Sequence, residues 1–141
     1  MERIFAEFDI NMKKTLIAIL IGLSEADGDY NDNEIALIKD TGLKMGLTLE
    51  EIKSVKAKPN GFEYKLPHDI SLRMKMFFYL LFMIRVDGVI DIREKQILKK
   101  FGFKLCLNPD LMNEMIDVLE LYNNKPLPNN IIAEKIKKYL N

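Results

Sequence analysis

Asp27 and Glu34 stand seven residues apart around one bend of the chain, and Asp87 and Glu94 repeat the arrangement sixty residues later. Carboxylates placed this way can hold a divalent cation, provided several oxygens converge on one point. Given a pocket and groups for proton transfer, the same acids could serve a metal-dependent enzyme; beyond the carboxylates the sequence offers few such groups. The two copies are not equal. Glu25, Asp27, Asp29, Asp32 and Glu34 put five acids into ten residues with no base among them. In the second copy Arg85, Arg93 and Lys95 offset Asp87, Asp91 and Glu94, and Val89 and Ile90 replace Asp29 and Tyr30. A cation site is therefore expected at the first loop, on Asp27, Asp29 and Glu34. Asp87 and Glu94 join it if the two loops lie close to one axis.

Folding offers another reading of the same acids. Asn31-Asp32-Asn33-Glu34 and Asp91-Ile92-Arg93-Glu94 are capping boxes, with an acceptor at the N-cap and a carboxylate three residues on. Glu34 and Glu94 would then cap backbone N–H groups and suit the helix dipole, while Asp27 and Asp87 accept bonds from amides of the bend. Both readings stand at this level. An EF-hand does not. Asp27, Asp29 and Asn31 fit its first three ligand positions, but Asp32 falls where the turn needs glycine and Ile38 where it needs a bidentate Glu.

Other reactive residue types are scarce. His68 is the only histidine and Cys106 the only cysteine. No zinc cluster or di-iron Glu-x-x-His bundle can be built, and no Ser-His-Asp or Cys-His arrangement stands out. There is no Gly-rich phosphate loop. Cys106 aligns with Gly46 in the repeat and reads as a small buried residue. His68, beside Pro67, reads as part of a helix start.

Lys+Arg and Asp+Glu number 21 each, so the net charge is zero. That argues against a dedicated binder of nucleic acid or anionic membranes. A single cysteine rules out an intramolecular disulfide and fits a reducing compartment. The N-terminal residues lack the apolar core of a signal peptide. The longest apolar run, Met76 to Ile84, falls well short of the roughly 20 residues a membrane span needs. A cytoplasmic protein without a transmembrane segment is expected. At 141 residues and 48% hydrophobic content, the chain fits one domain over residues 1–141 with a sizeable core.

The elements that must position the acids follow from the repeat. Shifting the chain by sixty residues pairs Leu20 with Leu80, Gly42 with Gly102, Lys44 with Lys104 and Leu47 with Leu107, without a gap. The copies run over about residues 13–57 and 73–117. Residues 2–9 form a short amphipathic turn or helix. A helix over 12–26 has an apolar middle, Leu16 to Ile21, and stops at Asp27-Gly28. The next runs from the first capping box to about Met45, with Ile35, Leu37, Ile38 and Leu43 as its apolar stripe. Thr48-Leu49-Glu50-Glu51 caps a helix to about Ala57. Lys58-Pro59-Asn60-Gly61 breaks the chain, and Phe62 to Pro67 link the halves.

The second half then repeats the plan: a helix over about 69–86, one from Asp91 to about Leu105, and one from Asn108-Pro109 to about Leu121. A loop over 123–128 leads to a last amphipathic helix over 129–140. Met and Phe residues between Met74 and Met83 read as core. Lys99, Lys100, Lys104, Lys135, Lys137 and Lys138 read as solvated faces. The expected fold is all-α, with about seven helices in two halves related by a pseudo-twofold axis. The two apolar helices should form its central pair, and Gly22 opposite Phe82 suggests small-against-large packing there.

An apolar helix followed by Ala26-Asp27-Gly28 with Glu34, and again by Val86-Asp87-Gly88 with Glu94, resembles the TerB-like family of tellurite-resistance proteins. The likeness covers about residues 12–121. The motif is short, but its duplication at constant spacing makes it more specific than one copy. The resemblance implies an all-helical fold of two related halves and an acidic site proposed to bind divalent cations. It also implies a setting in stress response, tellurite resistance or phage defence.

The expectation is a non-enzymatic binding module acting through protein partners, with Ca²⁺, Mg²⁺ or Mn²⁺ as the one cofactor the acids would take. Alternatives are a metal-dependent enzyme built on the paired carboxylates and a purely structural scaffold.

Overall fold

The computed structural model describes residues 8–26, 32–57, 67–85, 92–122, 125–128 and 130–140. These residues contain seven α-helices and no strand: α1 (Ile10–Ala26), α2 (Asp32–Lys44), α3 (Leu49–Ala57), α4 (Ile70–Arg85), α5 (Ile92–Lys104), α6 (Pro109–Leu121) and α7 (Ile131–Leu140). The all-α expectation with seven helices holds. Among the described residues no helix is long and apolar enough to cross a membrane. Residues 2–7 of the turn or helix expected over 2–9, the breaker cluster 58–61, residues 62–66 of the link expected over 62–67, and both Asp-Gly bends lie outside the described residues. The chain divides into two compact units, one built from α1 to α3 and the other from α4 to α7.

Local chemistry sets where the helices begin. Asp9 caps α1, its Oδ1 accepting from the Met12 amide at 2.8 Å. In α3 the Thr48 amide donates to Glu51 Oε1 at 2.9 Å while the Glu51 amide donates to Thr48 Oγ1 at 3.1 Å, the reciprocal pair of a capping box. This cap also holds the Glu51 carboxyl below its usual range, the backbone bond at Thr48 being the main cause. Asp69 accepts from the Ser71 amide at 2.9 Å and opens α4. His68 is exposed just before that cap. Asn108 accepts from the Asp110 amide at 2.8 Å, with Pro109 in the first helical position, where its missing N–H costs nothing.

In the first unit α1 packs against both α2 and α3. Leu16 to Ile21 are all buried, so the middle of α1 is covered around its whole circumference. In the second unit α4 packs against α5, α6 and α7. Met74, Met76, Phe77, Phe78, Leu80 and Leu81 are buried, and the core expected between Met74 and Met83 is there, although Phe82 and Met83 are half-buried. Each fully buried side chain of this size contributes about 1.5–3 kcal/mol.

The sequence repeat is also a repeat of structure. α2 and α5 begin and end at positions sixty apart, and both close in the same way. In α2, Gly46 N–H donates to Leu43 O at 3.0 Å and Leu47 N–H to Gly42 O at 3.1 Å; in α5, Cys106 N–H donates to Phe103 O and Leu107 N–H to Gly102 O, each at 3.0 Å. This is the Schellman end, two bonds that satisfy the last carbonyls. The packing beneath it repeats as well. A Cβ on Gly42 would lie 2.7 Å from Ile52 Cδ1 and 3.5 Å from Ile17 Cδ1, while one on Gly102 would lie 1.9 Å from Met112 Sδ and 3.3 Å from Phe77 Cε2. Ile17 and Phe77, and Ile52 and Met112, are themselves repeat partners. Each unit thus closes a three-helix junction on a glycine that lets two helices approach.

Some expectations need correction. Cys106 is exposed, not buried. Its left-handed backbone, φ 60°, ends α5, and a residue at that turn points outward. Leu43 is 41% exposed and its partner Phe103 76%, because the last turn of α2 and α5 turns this position away from the core. Gly22 is exposed, and a Cβ there would meet nothing within 4 Å. On α7, Ile132 and Ile136 face the core, but Leu140 is 47% exposed.

Candidate functional site

Glu34 and Glu94 occupy the same place in the two units, in the first turn of α2 and of α5. Both are half-buried. Asp27, Asp29 and Asp87 lie outside the described residues, as do the N-cap residues Asn31 and Asp91. Asp32 also sits in the first turn of α2, and its counterpart Ile92 is 73% exposed and apolar. Among the described residues, α2 thus opens on two acids, Asp32 and Glu34, whereas α5 opens on one, Glu94, with Arg93 and Lys95 beside it.

A further difference marks the first copy. Ser24, near the end of α1, is only 4% exposed, and its Oγ is shut off from solvent with no hydrogen-bond partner among the described residues. Glu34 Oε2 is likewise shielded from solvent. The two residues bracket the first acidic loop in sequence. The counterpart of Ser24 is Ile84, buried and apolar. A buried hydroxyl without a partner costs about 1–3 kcal/mol, and such a group calls for an explanation, an ion or a water included. Ser24, Asp32 and Glu34 offer oxygen donors only, which suits Ca²⁺, Mg²⁺ or Mn²⁺ rather than zinc. Among the described residues no three His, Cys, Asp or Glu side chains come together as a metal ligand set.

Sequence reading missed a polar cluster in the second unit. Glu114 on α6 receives Lys138 on Oε1 at 2.7 Å and the Tyr139 hydroxyl on Oε2, and Lys135 lies 3.5 Å from Oε1. These bonds, Lys138 first, bring the Glu114 carboxyl down to about 2. The same carboxylate raises Lys138 and Tyr139 above their ordinary values. Lys135 and Lys138, expected on solvated faces, both reach Glu114; Lys138 stays exposed while Lys135 is half-buried. Their spacing on α7, with Tyr139 next in line, places them on one side of that helix. That is the only signal the sequence carried. The acceptor lies more than twenty residues upstream and shows nothing in local pattern. Lys95 and Glu120 form a further ion pair at 2.5 Å, joining α5 to α6.

An open groove of about 330 Å³ runs between α4 and α7, lined by Ser71, Lys75, Ala133, Ile136, Lys137 and Leu140.

No protein-family model matches this chain. No match is found among curated proteins or among solved structures.

Proposed function

We propose that this chain is a TerB-like, non-enzymatic binding module of a cytoplasmic stress or tellurite-resistance-type response, with a divalent-cation site at its first acidic loop. The observation that carries the cation site is Ser24. Its buried hydroxyl has no partner among the described residues and lies three residues before Asp27, where the second copy has Ile84. The ligands assigned are Asp27, Asp29 and Glu34, with Asp87 and Glu94 as the corresponding acids of the second copy. The cation would draw together five acids that no base in the segment offsets. The interaction role rests on the α4–α7 groove, which offers apolar surface between two lysines.

Calorimetric titration with Ca²⁺, Mg²⁺ and Mn²⁺ tests the site. Wild-type protein should bind one of them saturably, and Asp27→Asn with Glu34→Gln should abolish binding while leaving the helical circular dichroism unchanged. Equal affinity in the double variant would rule the site out.

A further inference from the structure

We infer that the outward face of α5 docks an acidic helix of a protein partner. This rests on the reading of the chain as an interaction module, and it is independent of the cation site. Ile92 and Phe103 are 73% and 76% exposed. They stand eleven residues apart, about three turns, so both fall on one side of the helix. Gln96 and Lys99 lie between them on that side, and Arg93 and Lys104 run beside it; all four are exposed. The core side is separate, formed by Ile97, Leu98, Phe101 and Gly102. Arg93, Lys99 and Lys104 make no ion pair among the described residues, whereas Lys95 reaches Glu120 on α6.

Folding does not require this face, and the repeat supplies the comparison within one chain. α2 and α5 have the same bounds sixty residues apart, and their outward positions are exposed in both. Ile92 stands in the place of Asp32, Gln96 of Ala36, Lys100 of Asp40 and Phe103 of Leu43, while Lys99 and Lys104 match Lys39 and Lys44. The face on α2 thus mixes acids with bases, whereas the exposed residues of α5 include no acid. A lone exposed apolar side chain is ordinary. Here two are aligned among unpaired bases, and Phe and Arg are residue types enriched at interfaces.

The charge selects the partner. Asp and Glu complement Arg93, Lys99 and Lys104, and Lys or Arg opposes them. A helix laid along α5 repeats its spacing, so apolar residues at i and i+11 reach Ile92 and Phe103 with acids between them. A bilayer fits less well. The core side of α5 is already buried, and two side chains offer too little apolar surface for a helix to lie in the interface. A nucleic acid fits less well too, because the chain as a whole carries no net charge to attract a polyanion.

The test uses the full chain, ¹⁵N-labelled, and two synthetic helical peptides of about 18 residues, long enough to hold a helix. Both carry Leu at i and i+11; one surrounds them with Glu and the other with Lys. The Glu peptide should shift the amides of residues 92–104 saturably and bind about tenfold more tightly than the Lys peptide. Phe103→Ala should weaken it about tenfold, whereas Leu43→Ala, the same change on α2, should leave its affinity unchanged. Lys99→Glu with Lys104→Glu should reverse the order of the two peptides. These side chains are exposed, and circular dichroism checks that each variant keeps its helices. Equal binding of both peptides, binding of neither, or full affinity in Phe103→Ala would overturn the inference. So would shifts of 92–104 produced only by phosphatidylserine vesicles, which would mean a membrane site, or only by a DNA duplex. Peptide shifts confined to Ser71, Lys75 and 133–140 would overturn the α5 face and leave the reading as an interaction module standing.

Discussion

Gly46 and Cys106 hold the same left-handed position sixty residues apart, with φ of 91° and 60°. Each donates its N–H three residues back at 3.0 Å, to Leu43 and Phe103. Glycine takes this conformation freely, whereas a side chain there costs about 1–2 kcal/mol. The second unit has kept the turn and accepted the strain.

Substitution at the two sites should therefore act in opposite directions. Cys106→Gly should raise stability by up to about 1 kcal/mol, the relief of strain being partly offset by the greater freedom of glycine in the unfolded chain. Gly46→Ala should lower it by about 1 kcal/mol through the backbone alone, since the nearest atom to the added Cβ, Lys13 Nζ, is 4.0 Å away. Urea unfolding of both variants reads the difference. Destabilisation by Cys106→Gly would mean that the thiol makes a contact worth more than the strain.

Gly102 tests the helix junction. Alanine there gains about 1 kcal/mol of helix propensity, but its Cβ would meet Met112 Sδ at 1.9 Å, and Met112 is buried. Overpacking typically costs about 1–3 kcal/mol, so Gly102→Ala should be destabilising on balance. The loss should shrink when Met112→Ala is added, and a double-mutant cycle measures that coupling. Independent effects would show that the two residues do not share the junction.

Glu114 predicts how acid affects α7. Its folded carboxyl is depressed from an ordinary 4.5 to about 2. A depressed carboxyl stabilises the folded state above the unfolded value, and that contribution is lost as pH falls through the window between the two. Lys138 and Tyr139 are raised, so their contributions hold below their ordinary values and fade as pH climbs past them. Protection of the α7 amides, taken relative to their intrinsic exchange rates, should fall as pH drops from about 4.5 towards 2. Glu114→Gln should remove that acid-dependent step. A step that survives in the variant would place its origin elsewhere.

Ser24→Ala separates the cation site from a packing role. Replacing a buried hydroxyl that has no partner among the described residues by alanine in a helix should raise cation-free stability by about 0.5–1 kcal/mol, while weakening binding of the cation. Thermal unfolding with chelator and with added Ca²⁺ reads both effects. A large loss of stability with chelator would show that the hydroxyl is bonded.

How much of this was legible in the sequence depends on range. Thr48 and Glu51, or Asn108 and Pro109, declare their helix starts within four residues, and the shift by sixty exposed the repeat that Gly42 and Gly102 now embody. The sequence places Asp9 at the end of a short N-terminal turn or helix, whereas it caps α1, because an acid before an apolar run serves either purpose. Alignment with Gly46 pointed to size at Cys106, when the shared property is backbone angle. Glu114 could not be paired with Lys138 and Tyr139, since that contact depends on how α7 returns to α6. The candidate cation site is readable as a run of acids, whereas nothing in the sequence marks Ser24. Its burial, and Ile84 in its place in the other copy, emerge only from the packing.

Paramagnetic broadening by Mn²⁺ tests the central claim most directly. In the ¹⁵N-labelled protein, substoichiometric Mn²⁺ should broaden the amides of residues 25–34 selectively, more than those of 85–94, and excess Ca²⁺ or Mg²⁺ should restore them. Uniform broadening, or a flat response up to millimolar cation, would contradict the site and leave Glu34 and Glu94 as carboxylates that serve only their helix starts.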